Sequence, residues 1–324
     1  KYPDRFKSKD RPYVGGPGVR ILVTGGAGYL GSVLVPELLA RAHQVTVLDN
    51  FMYGQNGLLG CCAAPGLEII RADVREEMDV SSYDAFILLA AIVGAPACDL
   101  DRTAAVTTNF LSVERLARVA QGRPVIYPNT NSGYGHGENC TEDTPLKPLS
   151  LYASTKAQAE AAVLTARGVS LRFATLFGTS PRMRLDLMVN DFTYRAVHDR
   201  ALTLFEPNFR RNFLHVRDAA RVVVYALQNY GKMGGRVSNG GQVFNAGLSS
   251  ANMTKLELCE AIRHRIPDFT WSVVENRSDG DQRDYLVSNV KLEATGWRAV
   301  YSLDDGIMEL IRAYQMPFHM CGNV

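Results

Sequence analysis

The sequence predicts an α/β protein, a doubly wound parallel sheet joined to a smaller mixed α/β domain. Three observations predict it. From Val19 onward, short runs rich in Val, Ile and Leu alternate with longer helical patterns, the rhythm of strand, crossover helix and parallel strand. The first strand-to-helix turn, VTGGAGYLGS, spaces Gly25, Gly28 and Gly31 three residues apart. Beyond Gly178 the strands become shorter and their spacing looser, which marks a second architecture.

Taken in order, RILVT, the helical pattern YLGSVLVPELLARA and QVTVLD make one βαβ unit. Pro36 falls inside that helical pattern, where it removes one hydrogen bond and favours a kink. The apolar period continues across it, so the helix is kept. LEIIRAD and DAFILLAA supply the next two strands, and RTAAVTTNFLSVERLARVA reads as one helix. PVIYPNT, a helix over ASTKAQAEAAVLTA, and VSLRFATLFG complete the alternation. The second region holds ALTLFEP, QVFNAG, FTWSVVE and RDYLVSN. The expected organisation is a charged, Pro- and Gly-containing tail over 1–18, a Rossmann-type domain over 19–178 and a second domain over 179–324. Within 215–247, VRDAARVVVYALQ and QVFNAG fit a return to the first sheet, so the boundary need not be a single cut.

The chain has 324 residues, 46% of them hydrophobic and 21% charged, enough for one large or two modest domains. A formal charge of +2 gives no basic excess, so nucleic acid is not expected as a partner. Six cysteines lack paired C-x-x-C spacing and read as thiols in a reducing, cytoplasmic compartment. The longest apolar stretch, AFILLAAIVGAPA, falls short of the ~20 residues that span a bilayer. No membrane association is expected, and no signal-peptide pattern opens the chain. His136, Glu138 and Cys140 in HGENC have the residue types of a metal site, but no P-C-x-x-C follows. A polar loop without metal is expected there. No G-x-S-x-G elbow marks a serine hydrolase.

Glycines at this spacing between a strand and a helix permit a tight turn and let a pyrophosphate approach the backbone at the helix N-terminus. Asp49, ending the second strand, is placed to bond both hydroxyls of an adenosine ribose. It repels a 2′-phosphate, and no arginine follows in DNFMYG, so NAD is favoured over NADP. Asp73 can bond an adenine amino group or cap a helix. Ala90 and Ala91 leave room for the cofactor or simply pack closely. The expected cofactor-binding set on this side is Gly25, Gly28, Tyr29, Leu30, Gly31, Asp49, Asn50, Asp73, Val74, Ala90 and Ala91. In LYASTK, Tyr152 and Lys156 are four apart and share a helix face. An ammonium near the phenol favours the phenolate and so makes a base for an alcohol proton. A solvated Tyr and Lys on a helix surface is the plainer alternative. Their position, just after the strand and loop PVIYPNTNSGYG, favours the site.

Together, the glycine turn, the acidic end of strand two, the hydroxyl loop ending YG and Tyr-x-x-x-Lys resemble the extended short-chain dehydrogenase/reductase family, over nearly all of residues 19–316. The pattern is similar to nucleotide-sugar epimerases, dehydratases and 4-dehydrogenases, which oxidise sugar C4 with tightly held NAD. The resemblance implies that Tyr152 is the base at the C4 hydroxyl, that Lys156 holds the nicotinamide ribose and that Thr130 bonds the same oxygen as Tyr152. It places Asn109, in VTTNFLS, near cofactor and active site. Sugar 4,6-dehydratases put Asp and Glu directly after the threonine. Asn131 and Ser132 stand there instead, and an amide and a hydroxyl are poor acid and base for an elimination. Ser132 also occupies the place where 3,5-epimerases carry cysteine.

NFRRNFLHVRD is similar to the segment whose arginine grips the nucleotide diphosphate, here Arg211. Arg277 aligns with a second such arginine, with Arg283 as its rival. Thr175 replaces an asparagine common in 4-epimerases. SPRMRLDLMVNDF, LSSANMTK and RDYLVSNVKLEATGW look like a branch that includes a GDP-heptose 4-dehydrogenase. The resemblance thus implies a UDP- or GDP-linked hexose or heptose bound by Asn131, Ser132, Thr175, Arg211 and Arg277. It further implies a homodimer through the helices at 102–120 and 153–166. The expected activity is that of a 4-epimerase or 4-dehydrogenase; a 4-ketosugar reductase and an inactive NAD-binding relative are the alternatives.

Overall fold

The computed structural model describes residues 18–120, 122–234, 241–274 and 283–316. Its strands are β1 (Arg20–Thr24), β2 (Gln44–Asp49), β3 (Leu67–Arg71), β4 (Ala85–Leu88), β5 (Val125–Thr130), β6 (His136–Cys140), β7 (Val169–Phe173), β8 (Thr175–Phe177), β9 (Ala201–Leu204), β10 (Arg210–His215), β11 (Gln242–Ala246), β12 (Asn252–Thr254), β13 (Thr270–Val273) and β14 (Asp284–Val287). The helices that matter below are α1 (Gly31–Leu39), α2 (Ser112–Val119), α3 (Leu151–Thr165), α4 (Met188–His198), α5 (Val216–Gln228) and α6 (Leu303–Tyr314).

Seven parallel strands form the main sheet in the order β11-β7-β5-β4-β1-β2-β3. The chain runs outward from β1 to β3, then returns to β4 on the other side of β1. That reversal opens a crevice beyond the carboxyl ends of β1 and β4, where sheets of this kind bind ligands. The apolar runs sort by strand parity. Ile21, Val23, Ile87 and Ile126 pack against Leu34, Val35 and Leu38 of α1 and Val222, Val223 and Leu227 of α5. Leu22, Phe86, Leu88 and Tyr127 face Val113 and Leu116 of α2 and Ala159 and Val163 of α3. Both faces are buried, so the strands read as continuous apolar runs rather than as alternating ones. α5 and β11 pack with this sheet although they follow Gly178 in the chain.

A second core gathers Phe177, Val189, Phe192, Leu258, Phe269, Ile307 and Leu310. It lies beside a three-stranded sheet ordered β12-β10-β8. Two expectations change here. HGENC is a strand and not a loop: β6 pairs in parallel with β14, and Cys140 is buried with Tyr134, Tyr285 and Val287. This pairing brings residues 283–287 to the loop after β5. The helix expected across 102–120 contains a π-helical turn at Thr107–Leu111, between an α-helical start at Arg102–Val106 and α2. Among the described residues no helix is long and apolar enough to cross a membrane, and no group of His, Cys, Asp and Glu is arranged to hold a metal.

Candidate active site

The glycine turn separates two reasons for lacking a side chain. Gly25 has φ +72°, and a Cβ there would lie 2.6 Å from the Ala90 nitrogen; at Gly31 it would lie 2.5 Å from the Gly26 carbonyl oxygen. Packing within the protein alone excludes side chains at these positions. At Gly28 a Cβ would meet only the Gly25 oxygen, at 3.2 Å. Its bareness leaves the outer side of the turn open to a pyrophosphate at the N-terminus of α1, where Ser32 N donates to Gly28 O (2.9 Å) and Val33 N to Leu30 O (3.1 Å). Leu30 occupies the N-cap position of that helix without a side-chain hydrogen bond.

Asp49 is fixed against the same turn. One carboxylate oxygen accepts from Ala27 N (2.9 Å), the other from Phe51 N (2.8 Å). An ionised carboxylate accepts about four hydrogen bonds, so lone pairs remain for a ribose diol. Asn50 is exposed, and its side chain accepts from Met52 N. Asp73 caps no helix: a turn follows it, and its carboxylate takes the Arg75 backbone N–H (2.9 Å) and guanidinium (2.6 Å). That charge–charge hydrogen bond holds the Asp73 carboxyl below its usual range. Val74 is buried, with its carbonyl bonded by Arg115. Ala90 and Ala91 are half-buried beyond β4, and Ala90 N donates to Thr24 Oγ1 (3.3 Å). These residues fit a dinucleotide whose pyrophosphate lies at α1 and whose adenosine ribose lies at Asp49.

α3 starts at a sharp cap, with Ser150 Oγ accepting from Ala153 N, and its alanine-rich sequence favours the helix that follows. Tyr152 is half-buried at its first turn; Lys156, one turn on, is 5% exposed. Lys156 Nζ donates to the Pro128 carbonyl (2.7 Å) and lies 4.0 Å from the centre of the Tyr127 ring. Burial pushes the Lys156 ammonium down to about 7, with Glu160 opposing the shift. Burial likewise raises the Tyr152 phenol, and the charges of Arg184 and Arg283 work against it. The lowering of Tyr152 by Lys156 expected from sequence is therefore not what the fold provides: desolvation dominates both groups, and the cations opposing it are arginines.

Asn109 sits on the π-helical turn, almost fully buried. Its Oδ1 accepts from Ile92 N (2.8 Å), and its Nδ2 donates to Ile92 O (2.9 Å) and Thr155 Oγ1 (3.4 Å). It ties the exit of β4 to α3. Behind α3, Glu160 accepts from Asn129 Nδ2 (2.7 Å) and Ser170 Oγ (2.7 Å) and pairs with Arg172 (2.7 Å). A buried pair with its remaining oxygens satisfied is a rigid anchor, and this one binds the helix of Tyr152 to β5 and β7.

Thr130 ends β5, and its Oγ1 accepts from Ser132 N (3.1 Å) and contacts Ser132 Oγ (2.9 Å). Arg283 donates to the same Ser132 Oγ. Asn131 is fully buried, and neither its amide oxygen nor its nitrogen has a partner among the described residues. Arg211 is 1% exposed and donates to the carbonyls of Arg210 (2.8 Å) and Arg283. It supports the main chain of Arg283, and Arg283 is the guanidinium that reaches the loop. Thr175 is half-buried in β8 opposite Phe213 of β10. Arg277 lies outside the described residues. Arg184 was not singled out from sequence; it pairs with Asp186 on the segment joining β8 to α4. Its signal was the arginine pair in SPRMRLDL, which spacing alone does not distinguish from a solvated surface.

Residues 21–247 match the NAD dependent epimerase/dehydratase family. UDP-glucuronic acid decarboxylase 6 of Arabidopsis thaliana is 29% identical over 89% of this chain and 87% of its own length. Low-salt glycan biosynthesis protein Agl12 of Haloferax volcanii is 27% identical over 91% and 98%. Among solved structures, UDP-glucuronic acid 4-epimerase of Bacillus cereus, in complex with UDP-glucuronic acid and NAD, superposes with a TM-score of 0.79 at 23% identity, covering 92% of this chain and 99% of that one. The UDP-glucose 4-epimerase of Thermus thermophilus, in complex with NAD, gives 0.76 at 25% identity and the same coverage. A match that runs through most of the chain and takes in both the dinucleotide turn and the Tyr152 helix shows the family: the chain belongs to the NAD dependent epimerase/dehydratase family, and NAD is its cofactor.

Proposed function

We propose that the protein acts on a nucleotide-diphosphate sugar by hydride transfer at C4, as a 4-epimerase or a 4-dehydrogenase. The observation that carries this reading is the loop after β5. Thr130 is followed by Asn131 and Ser132, and the guanidinium of Arg283 donates to Ser132 Oγ. Tyr152 and Thr130 supply what an alcohol oxidation needs from the protein, a proton acceptor and a hydroxyl to orient the oxygen. The loop lacks a carboxyl pair that would go on to expel water. NAD supplies the hydride acceptor. Asp49 and the glycine turn would hold its adenosine half, and Lys156 and Asn109 lie toward its nicotinamide half. Tyr152 takes the C4 hydroxyl proton as the ketone forms and returns it if the ketone is reduced from the opposite face. Arg283, docked on Ser132, and Arg184 place positive charge beside the sugar.

A second reading rests on those same two arginines. Relatives are named for UDP-glucuronic acid, and a carboxylate is a natural partner for a guanidinium. If the sugar carries its carboxylate at C5, oxidation at C4 creates a β-keto acid; loss of carbon dioxide leaves an enolate that takes a proton at C5, and return of the hydride removed from C4 reduces the 4-keto pentose to the pentose.

The test is anaerobic incubation of the purified protein with UDP-, GDP-, ADP- and CDP-linked hexoses, heptoses and hexuronates, with products followed by NMR. A C4-inverted sugar without net NADH identifies an epimerase, and a 4-keto sugar with stoichiometric NADH a 4-dehydrogenase. A pentose with carbon dioxide identifies the second reading. Tyr152→Phe is expected to lower turnover by about 10²–10⁴ while NAD stays bound; unchanged turnover would remove Tyr152 from the chemistry. We also propose a homodimer, since Leu111 is 44% exposed on the helix expected at 102–120, Leu100 is 90% exposed just before it, and Leu149 is 53% exposed just before the helix at 151–165. A monomeric mass by light scattering would contradict it.

A further inference from the structure

The segment 178–184, GTSPRMR, does more than connect β8 to α4. Its first part is bolted to the glycine turn. Tyr29 Oη donates to the Gly178 carbonyl (2.6 Å), and Asn190 joins them, its Nδ2 on Tyr29 Oη (3.3 Å) and its Oδ1 on Gly178 N (3.0 Å). Ser180 Oγ donates to the Tyr29 carbonyl (2.7 Å) and meets Ser32 Oγ at 2.7 Å. All four side chains are buried: Tyr29 at 6% exposure, Ser32 at 1%, Ser180 at 7% and Asn190 at 0%. Further along, the Arg182 guanidinium lies 3.7 Å from the centre of the Tyr53 ring, in the loop that leaves β2 after Asp49. Arg184 then brings its charge to Tyr152. One short stretch of chain thus joins the glycine turn to the loop that follows Asp49.

We propose that residues 178–184 form a strap that retains the dinucleotide, and that Arg182 is a cofactor-binding residue whose guanidinium takes the pyrophosphate from the adenosine side. Among the described residues Arg182 makes no salt bridge, and Asp186, the acid of this segment, is paired with Arg184. Tyr53 takes one hydrogen bond from this guanidinium, and the guanidinium's remaining N–H groups form a fork that matches phosphate oxygens. Ser180, two residues before Arg182, meets Ser32 of α1, and Tyr53 lies four residues after Asp49, so Arg182 stands on the stretch that links the glycine turn to the ribose side. The bolt at Tyr29 fixes the strap to the very turn on which the phosphates rest, so opening it requires breaking buried hydrogen bonds. A cofactor held this way stays bound between turnovers. The inference rests on NAD binding and not on which sugar is used.

The experiment measures release. Purified protein is loaded with radiolabelled NAD and chased with excess unlabelled NAD, and the retained label is followed by rapid filtration. The comparison covers wild type, Arg182→Gln and Tyr29→Phe, with circular dichroism and thermal unfolding to check folding. Arg182→Gln is expected to release NAD at least about tenfold faster, the scale of one lost charge-assisted hydrogen bond. Tyr29→Phe should move the rate in the same direction; if it does not fold, Ser180→Ala replaces it. Release from Arg182→Gln at the wild-type rate would overturn the proposal. Failure of the wild type to load at all would strike at the cofactor assignment itself, a result separable from equal release rates.

Discussion

On the cofactor wall, Asp49 bonds Ala27 across 22 residues of chain, and Gly25, Gly28 and Gly31 occupy a single turn. On the substrate wall, Ser132 meets Arg283 across 151 residues, through the pairing of β6 with β14 and the support of Arg211. The first wall is made of backbone requirements that one βαβ unit imposes on itself. The second exists only once two distant strands have met. The cofactor side should therefore fail by misfolding and loss of NAD together where a glycine is closed off by the protein's own backbone, whereas the substrate side should lose sugar affinity in a protein that still folds and still holds NAD.

The largest effect is expected at Gly25. Alanine there puts a methyl group 2.6 Å from the Ala90 nitrogen at φ +72°. Overpacking costs about 1–3 kcal/mol, and the left-handed backbone adds roughly 1–2 kcal/mol. Gly25→Ala should shift the denaturation midpoint down and lose NAD, both measurable on one preparation. Gly28→Ala is the contrast: with only a 3.2 Å approach to Gly25 O, it should keep most of its stability and lose NAD affinity. Equal destabilisation in the two variants would mean that Gly28 serves packing and not the cofactor.

Next comes Arg283→Gln. Removing a charged hydrogen-bond donor costs about 1.5–3 kcal/mol, equivalent to roughly 10–100-fold in KM for the nucleotide sugar, with NAD affinity and unfolding midpoint close to wild type. Ser132→Ala should act more weakly, and the double variant should show a coupling of about 1 kcal/mol. Additive effects in KM would show that the contact between Arg283 and Ser132 does no work in substrate binding.

The same contrast explains what could be read in advance. The sheet was legible because Ile21 to Val23, Ala85 to Leu88 and Val125 to Tyr127 are buried on both faces and bounded by turn residues. The glycine turn, Asp49 and the Tyr152–Lys156 pair were legible because each requirement lies within one element and its neighbour. The strand at HGENC was not, since what makes it a strand is Tyr285 and Val287 packing on Cys140. Nor was the π-helical turn: Asn109 is drawn to Ile92, 17 residues away, and nothing in TTNFL announces that pull. Arg283 outranks Arg211 at the loop for the same reason. Two arginines side by side in NFRRNF look like a phosphate grip, but β10 turns Arg211 inward, and only the fold shows it. The Asp73 side chain was claimed locally, by an arginine two residues on, which competes with any ligand for its oxygens.

Lys156 stands where the two walls meet, and the last of these contrasts is tested there. Its ordinary value is 10.5, and burial lowers it to about 7 in the folded protein, with Glu160 the acid that opposes the shift. From Pro128 and Tyr127 it receives a carbonyl and a ring face, not a countercharge. Between about pH 7 and 10.5 the unfolded chain therefore holds a proton at Lys156 that the folded chain gives up, so stability gains a positive slope with pH in that window. Below about pH 7 both states are protonated, and the full cost of the buried charge is felt. Lys156→Met removes the titrating group at similar length. Relative to wild type it should gain more in unfolding midpoint at pH 6 than at pH 9.5, read from thermal scans at fixed ionic strength. Parallel pH curves for the two proteins would show that Lys156 keeps its charge through folding, held by more than the carbonyl of Pro128 and the carboxylate one turn away.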